Sequence, residues 1–138
     1  MQMHVLQPEG WAAPKGYSNG IAVDGAARLV FTAGQIAWDP AGRLVGAGDF
    51  ATQFRQALAN TIAVVEAAGG GAQHLVRLTV YVTDKRAYLR SLKEVGVAWR
   101  DLVGRHYPAM ALVQVADLVE DGALVEIEGT AAIPGPMP

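Results

Sequence analysis

Two acids, Glu126 and Glu128, stand one residue apart in the run Val125-Glu126-Ile127-Glu128. On a β-strand this spacing puts both carboxylates on one side. A carboxylate partly withdrawn from water can orient a water molecule or carry a proton, so acid–base chemistry is sought here first. The stretch before it, from Met110 to Ala116, reads as a second strand, and Leu75 to Val82 as a third. On the third, Val76, Leu78, Val80 and Val82 point one way and Arg77, Thr79 and Tyr81 the other. Counting by twos assigns Ala111, Val113, Val115, Val125 and Ile127 to a helix-covered face. Met110, Leu112, Gln114, Glu126 and Glu128 are left on the opposite face with Arg77, Thr79 and Tyr81. That set mixes apolar bulk with charge, which suits a surface packed against other copies of the chain with ligand clefts at the seams.

Several other chemistries are excluded or disfavoured. The chain has no cysteine, so disulfides, thiolate metal sites and cysteine nucleophiles are out. His4, His74 and His106 are scattered without metal-ligand spacing, and no metal is expected. Gly69-Gly70-Gly71 ends a helix instead of opening one, so it is no phosphate loop, and no G-x-S-x-G occurs. A net charge of −2 offers no footprint for nucleic acid or an anionic membrane. No segment reaches the roughly 18 apolar residues of a membrane span, and a cytoplasmic protein is expected.

The elements that must position these residues follow from periodicity. A length of 138 residues fits one domain, 1–138, with an arm at 1–16 punctuated by Pro8, Gly10, Pro14 and Gly16 and a tail at 134–138. Ile21 to Asp24 and Arg28 to Ile36 flank Asp24-Gly25 and predict a β-hairpin. Asp49 predicts the cap of a helix carrying Phe50, Phe54, Ala57, Leu58, Thr61, Ile62 and Val65 on one face. Thr83 or Asp84 caps a second, with a stripe of Tyr88, Leu92, Val95, Trp99 and Leu102. A last strand spans Ala123 to Ile133 after the acidic turn at Glu120-Asp121-Gly122. The order β-β-α-β-α-β-β predicts an α+β fold, a mixed sheet covered on one face by two α-helices.

Five stretches taken in order resemble the Rid/YjgF superfamily of reactive-intermediate (enamine/imine) deaminases, also described as endoribonuclease L-PSP-like. They are Tyr17-Ser18-Asn19-Gly20, Phe31-Thr32-Ala33-Gly34-Gln35-Ile36, Gln53 to Gly69, Leu78 to Asp84, and Tyr107-Pro108-Ala109 with Val125-Glu126-Ile127-Glu128. The resemblance implies a chorismate-mutase-like fold and a homotrimer with a small-molecule site in each inter-subunit cleft. There, water attacks an imine such as 2-iminopropanoate and ammonia leaves, without a cofactor. Carried over residue by residue, it implies that Glu126 and Tyr17 are catalytic and that Gly34 is a backbone donor.

Two positions depart from the pattern. Met110 stands where the family has the arginine that holds the substrate carboxylate, and Ala33 where it has a serine. A thioether offers neither charge nor donor, so the usual substrate is disfavoured unless Arg77 or Arg105 substitutes. Met110 and Leu112 would then line an apolar pocket, with His106, Tyr107 and Trp38 at its fringe. The readings left are a deaminase acting on a different imine, enamine or related electrophile, a non-catalytic ligand-binding or regulatory trimer, and third an endoribonuclease-like activity.

Overall fold

The computed structural model describes residues 1–136, so residues 137 and 138 of the expected tail lie outside the described residues. Strand β1 (Gln2–Leu6) pairs antiparallel with β2 (Gly20–Asp24) as a two-stranded ribbon. Strands β3 (Ala27–Phe31), β4 (Leu75–Val82), β5 (Ala109–Gln114) and β6 (Val125–Pro134) form a mixed sheet in the order β3-β6-β4-β5, in which only β4 and β5 run parallel.

The expected hairpin is therefore not formed: β2 pairs with β1, inside what reads as an arm, and β3 pairs with β6. Gly25 does adopt the left-handed φ of +85° that the turn signal demands. A turn signal fixes a local reversal, however, and not the partner. Here Ser18 is held at the far edge of the sheet, its N–H donating to the Pro108 carbonyl at 3.0 Å, and this draws β2 away from β3.

Helix α1 (Phe50–Ala67) starts where Asp49 accepts the Thr52 N–H at 3.2 Å and buries Phe54, Leu58 and Val65 against β6. Its buried Gln53 donates to the carbonyls of Gly46 and Gly122 and accepts the Leu124 N–H at 2.8 Å, which pins the entry to β6. The second expected helix is two, α2 (Lys85–Arg90), capped by Asp84, and α3 (Leu92–Leu102). The break falls at Ser91, whose hydroxyl donates to the Ala87 carbonyl at 2.8 Å in competition with the helical ladder.

Alternation on β4 is interrupted once. A bulge at Val76 makes Leu75 the buried residue, followed by Leu78, Val80 and Val82. On β6, Val125, Ile127, Ala131 and Ile133 enter the core as the alternation predicts.

Strand β5 reverses the expected faces. Its parallel register sets Met110 beside Leu78, Leu112 beside Val80 and Gln114 beside Val82, so Met110 and Leu112 pack on the helix side. Ala109, Ala111 and Val113 take the open face with Arg77, Thr79 and Tyr81. The run Met-Ala-Leu-Val-Gln-Val is apolar at nearly every position, so period two carries no preference of face.

Candidate functional site

On the open face, the cross-strand register puts Glu126 opposite Tyr81 and Glu128 opposite Thr79. The Tyr81 hydroxyl donates to Oε1 of Glu128 at 2.8 Å. That bond, then desolvation and the charges of Glu128 and Glu126, raise the Tyr81 pKa above its ordinary 10.0, and Arg77 opposes the shift. Glu128 is thus engaged as a hydrogen-bond acceptor, whereas Glu126 faces the loop after β3. Arg77 lines a small recess of about 240 Å³ with Phe31, Thr32 and Glu128.

That loop extends β3 along β6. The Thr32 N–H donates to the Gly129 carbonyl at 2.9 Å, and Gln35 exchanges two backbone hydrogen bonds with Ile127 at 2.8 and 2.9 Å. From Thr32 to Gln35 is three steps and from Gly129 to Ile127 is two, so Ala33-Gly34 carries one extra residue as a bulge. Among the described residues, the N–H groups of Ala33 and Gly34 enter no hydrogen bond. A Cβ added at Gly34 would lie 2.8 Å from both Cδ and Oε1 of Glu126, so any larger residue would have to push the carboxylate from its present place.

The other residues expected at the site lie across the sheet. Tyr17, Arg105, Met110 and Leu112 line a cavity of about 750 Å³ on the helix side, floored by Val80, Phe54 and Trp99. Tyr17 is positioned by Ser18, which bonds the carbonyls of both Pro108 and Tyr107. The Trp99 ring stacks on Tyr107 at 6.2 Å and 5°, and its Nε1 donates to the His106 carbonyl at 3.2 Å.

Exposed Lys15, Arg100 and Arg105 stand at the cavity mouth, and among the described residues no acid lines it. Sequence reasoning missed Lys15, Arg100 and Trp99 as cavity residues. The signal was thin: a tryptophan followed by an arginine in a helix otherwise read as sheet-covering.

His106 has a structural position, with Nε2 at 2.6 Å from the Leu75 carbonyl, and Trp38 is fixed outside the cavity by Asn60, which donates to its carbonyl at 3.0 Å. Within one chain, then, Gly34, Ala33, Glu126 and Arg77 share one face, and Tyr17, Arg105, Met110 and Leu112 share the other. The expectation of one face for Met110 and Glu126 is corrected by the β4–β5 register. Among the described residues no group of three His, Asp or Glu is placed to hold a metal, and no helix is long and apolar enough to cross a membrane.

Known proteins share both the sequence and the shape. Residues 9–133 match the family described as endoribonuclease L-PSP. Human 2-iminobutanoate/2-iminopropanoate deaminase is 32% identical over 121 residues, covering 88% of this chain and 82% of that protein. The crystal structure of the Rid-family protein YyfB from Yersinia pestis superposes with a TM-score of 0.84 at 31% identity, over 96% of this chain and 100% of that one. The YjgF gene product of E. coli gives 0.63 at 34% identity, over 87% and 90%. With its bulged loop closed on Glu126 and the sheet-and-helix layering that carries it, this chain belongs to the endoribonuclease L-PSP family of the Rid/YjgF superfamily and has its chorismate-mutase-like α+β fold.

Proposed function

We propose that the protein is a homotrimeric imine or enamine deaminase whose substrate carries an apolar group larger than that of 2-iminopropanoate. The observation that carries this reading is the contact of Gly34 with Glu126: a carboxylate held beside a bulge whose N–H groups are uncommitted. A group that moves a proton there neighbours donors for a substrate oxygen. In the reaction, Glu126 takes a proton from water as its oxygen adds to the imine carbon. The proton is passed to nitrogen to give a carbinolamine, whose hydroxyl proton follows to nitrogen as the C–N bond breaks, and ammonia and a carbonyl compound leave. Similarity to a relative named as a deaminase supports the class.

The sheet separates Glu126 from Met110 and Tyr17, so a complete site needs the open face of one copy to meet the helix-side cavity of another. Met110, Leu112 and Trp99 give that cavity an apolar floor, and Arg105, Arg100 and Lys15 give its mouth a positive charge. A substrate with an apolar body inside and an acid group outside fits this lining, without the guanidinium on β5.

Imines generated in situ by an amino-acid oxidase from phenylalanine and from alanine test this, with ammonia release followed against the uncatalysed rate. The expected result is acceleration of the phenylalanine-derived imine at least tenfold above that of 2-iminopropanoate, lost in Glu126→Gln. Equal or greater acceleration of 2-iminopropanoate overturns the substrate assignment. A second reading, a ligand-binding trimer without catalysis, is favoured by Met110 and Ala33, which remove two donors of the family pattern. Absence of acceleration with either imine, in an intact oligomer, selects it.

A further inference from the structure

The N-terminal ribbon packs on little of its own chain. Among the described residues, no hydrophobic side chain before Val30 belongs to the core or packs against it, and Val5 and Trp11 are 66% and 63% exposed. An isolated two-stranded ribbon is marginal in water, so β1 and β2 need a surface to lie on. The sheet offers one: β3 is an edge strand paired only to β6, with Leu29 and Phe31 exposed on the open face at 58% and 72%.

The sequence is built for β2 to pair with β3. A two-residue connection at Gly25-Ala26 would set Ala22 opposite Leu29 and Gly20 opposite Phe31. The chain's own β2 is barred from that position. Ser18 is docked beyond β5, and the place beyond β3 is five strand spacings away, about 24 Å. The two residues from Ser18 to Gly20 reach about 7 Å at most. While Ser18 stays bonded to Pro108, the β3 edge is open to another β2.

We propose that the ribbon of residues 1–24 is exchanged between copies, with β2 of one chain adding antiparallel to the β3 edge of a neighbour. Each chain then donates one ribbon and receives one, which closes a ring, covers the free edge and buries Leu29.

The exchange makes Asp24-Gly25-Ala26 a hinge instead of a hairpin turn. It also fixes Tyr17 to its own chain's cavity through Ser18, while the strand two residues later belongs to the neighbour's sheet.

The absence of native cysteine makes the test clean. Ala22→Cys with Leu29→Cys in one full-length chain, treated with dibromobimane under native conditions, becomes fluorescent only where the two thiols are adjacent. Fluorescent dimers and trimers on denaturing electrophoresis are the expected result. A fluorescent monomer means an ordinary hairpin and overturns the proposal, as does a folded protein of unchanged oligomeric mass with no cross-link. Should the double variant misfold, the Ala22→Cys and Leu29→Cys proteins mixed after brief denaturation and refolding must give a fluorescent cross-linked pair of unlike chains, and its absence counts equally against exchange.

Discussion

Glu126 lies so close to Gly34 that one methyl group on the glycine would sit 2.8 Å from its carboxylate. Gly34 has no left-handed φ, so alanine is tolerated there by the backbone, and the contact alone is at stake. Gly34→Ala is expected to push the carboxylate aside and lower kcat/KM at least tenfold while the melting temperature changes little. Kinetics and thermal unfolding of the same preparation check both halves.

Gln53 is the stability counterpart. Its side chain is buried and satisfies two carbonyls and one N–H between α1 and the start of β6. Gln53→Leu leaves all three without a partner, at about 1–3 kcal/mol each when buried. A loss of about 3 kcal/mol or more is expected in urea unfolding.

His74 sets an acid limit. Its Nδ1 accepts the Gly71 N–H at 3.0 Å, and burial, followed by the charge of nearby His106, lowers its pKa below 6.5. The unfolded chain therefore binds the proton first as pH falls. The contribution of neutral His74 is fully present above about pH 6.5 and is lost as pH drops from there through the lowered folded-state value. Urea midpoints measured from pH 8 to 5 should decline below 6.5, and His74→Gln should flatten that decline.

Met110→Arg would return a guanidinium to β5 at the cavity lined by Tyr17 and Arg105. Short α-keto acids should then bind about 10- to 100-fold more tightly, as charge-assisted hydrogen bonds of about 1.5–3 kcal/mol predict. Isothermal titration with pyruvate and phenylpyruvate measures the change, and phenylpyruvate should gain less because the new side chain occupies its space.

Because the sheet keeps Met110 and Glu126 apart, defects on the two faces should complement. Glu126→Gln chains and Met110→Trp chains, each inactive alone, are expected to regain part of the wild-type rate when unfolded together and refolded. Separate refolding followed by mixing on ice is the control.

Much of this arrangement is legible in the sequence where one physical signal dominates. Asp49 caps its helix as read, Asp84 is the one of the two candidates that caps the next, and α1 buries the face its spacing marks. Strand β6 alternates cleanly because Glu126 and Glu128 cannot face the core. The failures fall where signals are symmetric or local. Strand β5 has no polar side to orient it, so its faces were reversed by bulk alone. Asp24-Gly25 announces a turn, and the distant bond of Ser18 to Pro108 decides what lies beyond it. Nothing in the helical stripe signals that the Ser91 hydroxyl would split it, and the cavity under Trp99 arises from packing that no periodicity encodes.

The separation of Met110 from Glu126 by a layer of backbone also bears on how such proteins diverge. Residues that would select the ligand hang from one surface of the sheet and the residue that would transfer the proton from the other, with the closely packed β4 and β6 between them. Mutations that reshape the cavity leave the Gly34–Glu126 contact untouched. New preferences can therefore accumulate on one side of this scaffold as a drift in taste, without passing through a form that has lost its reactivity.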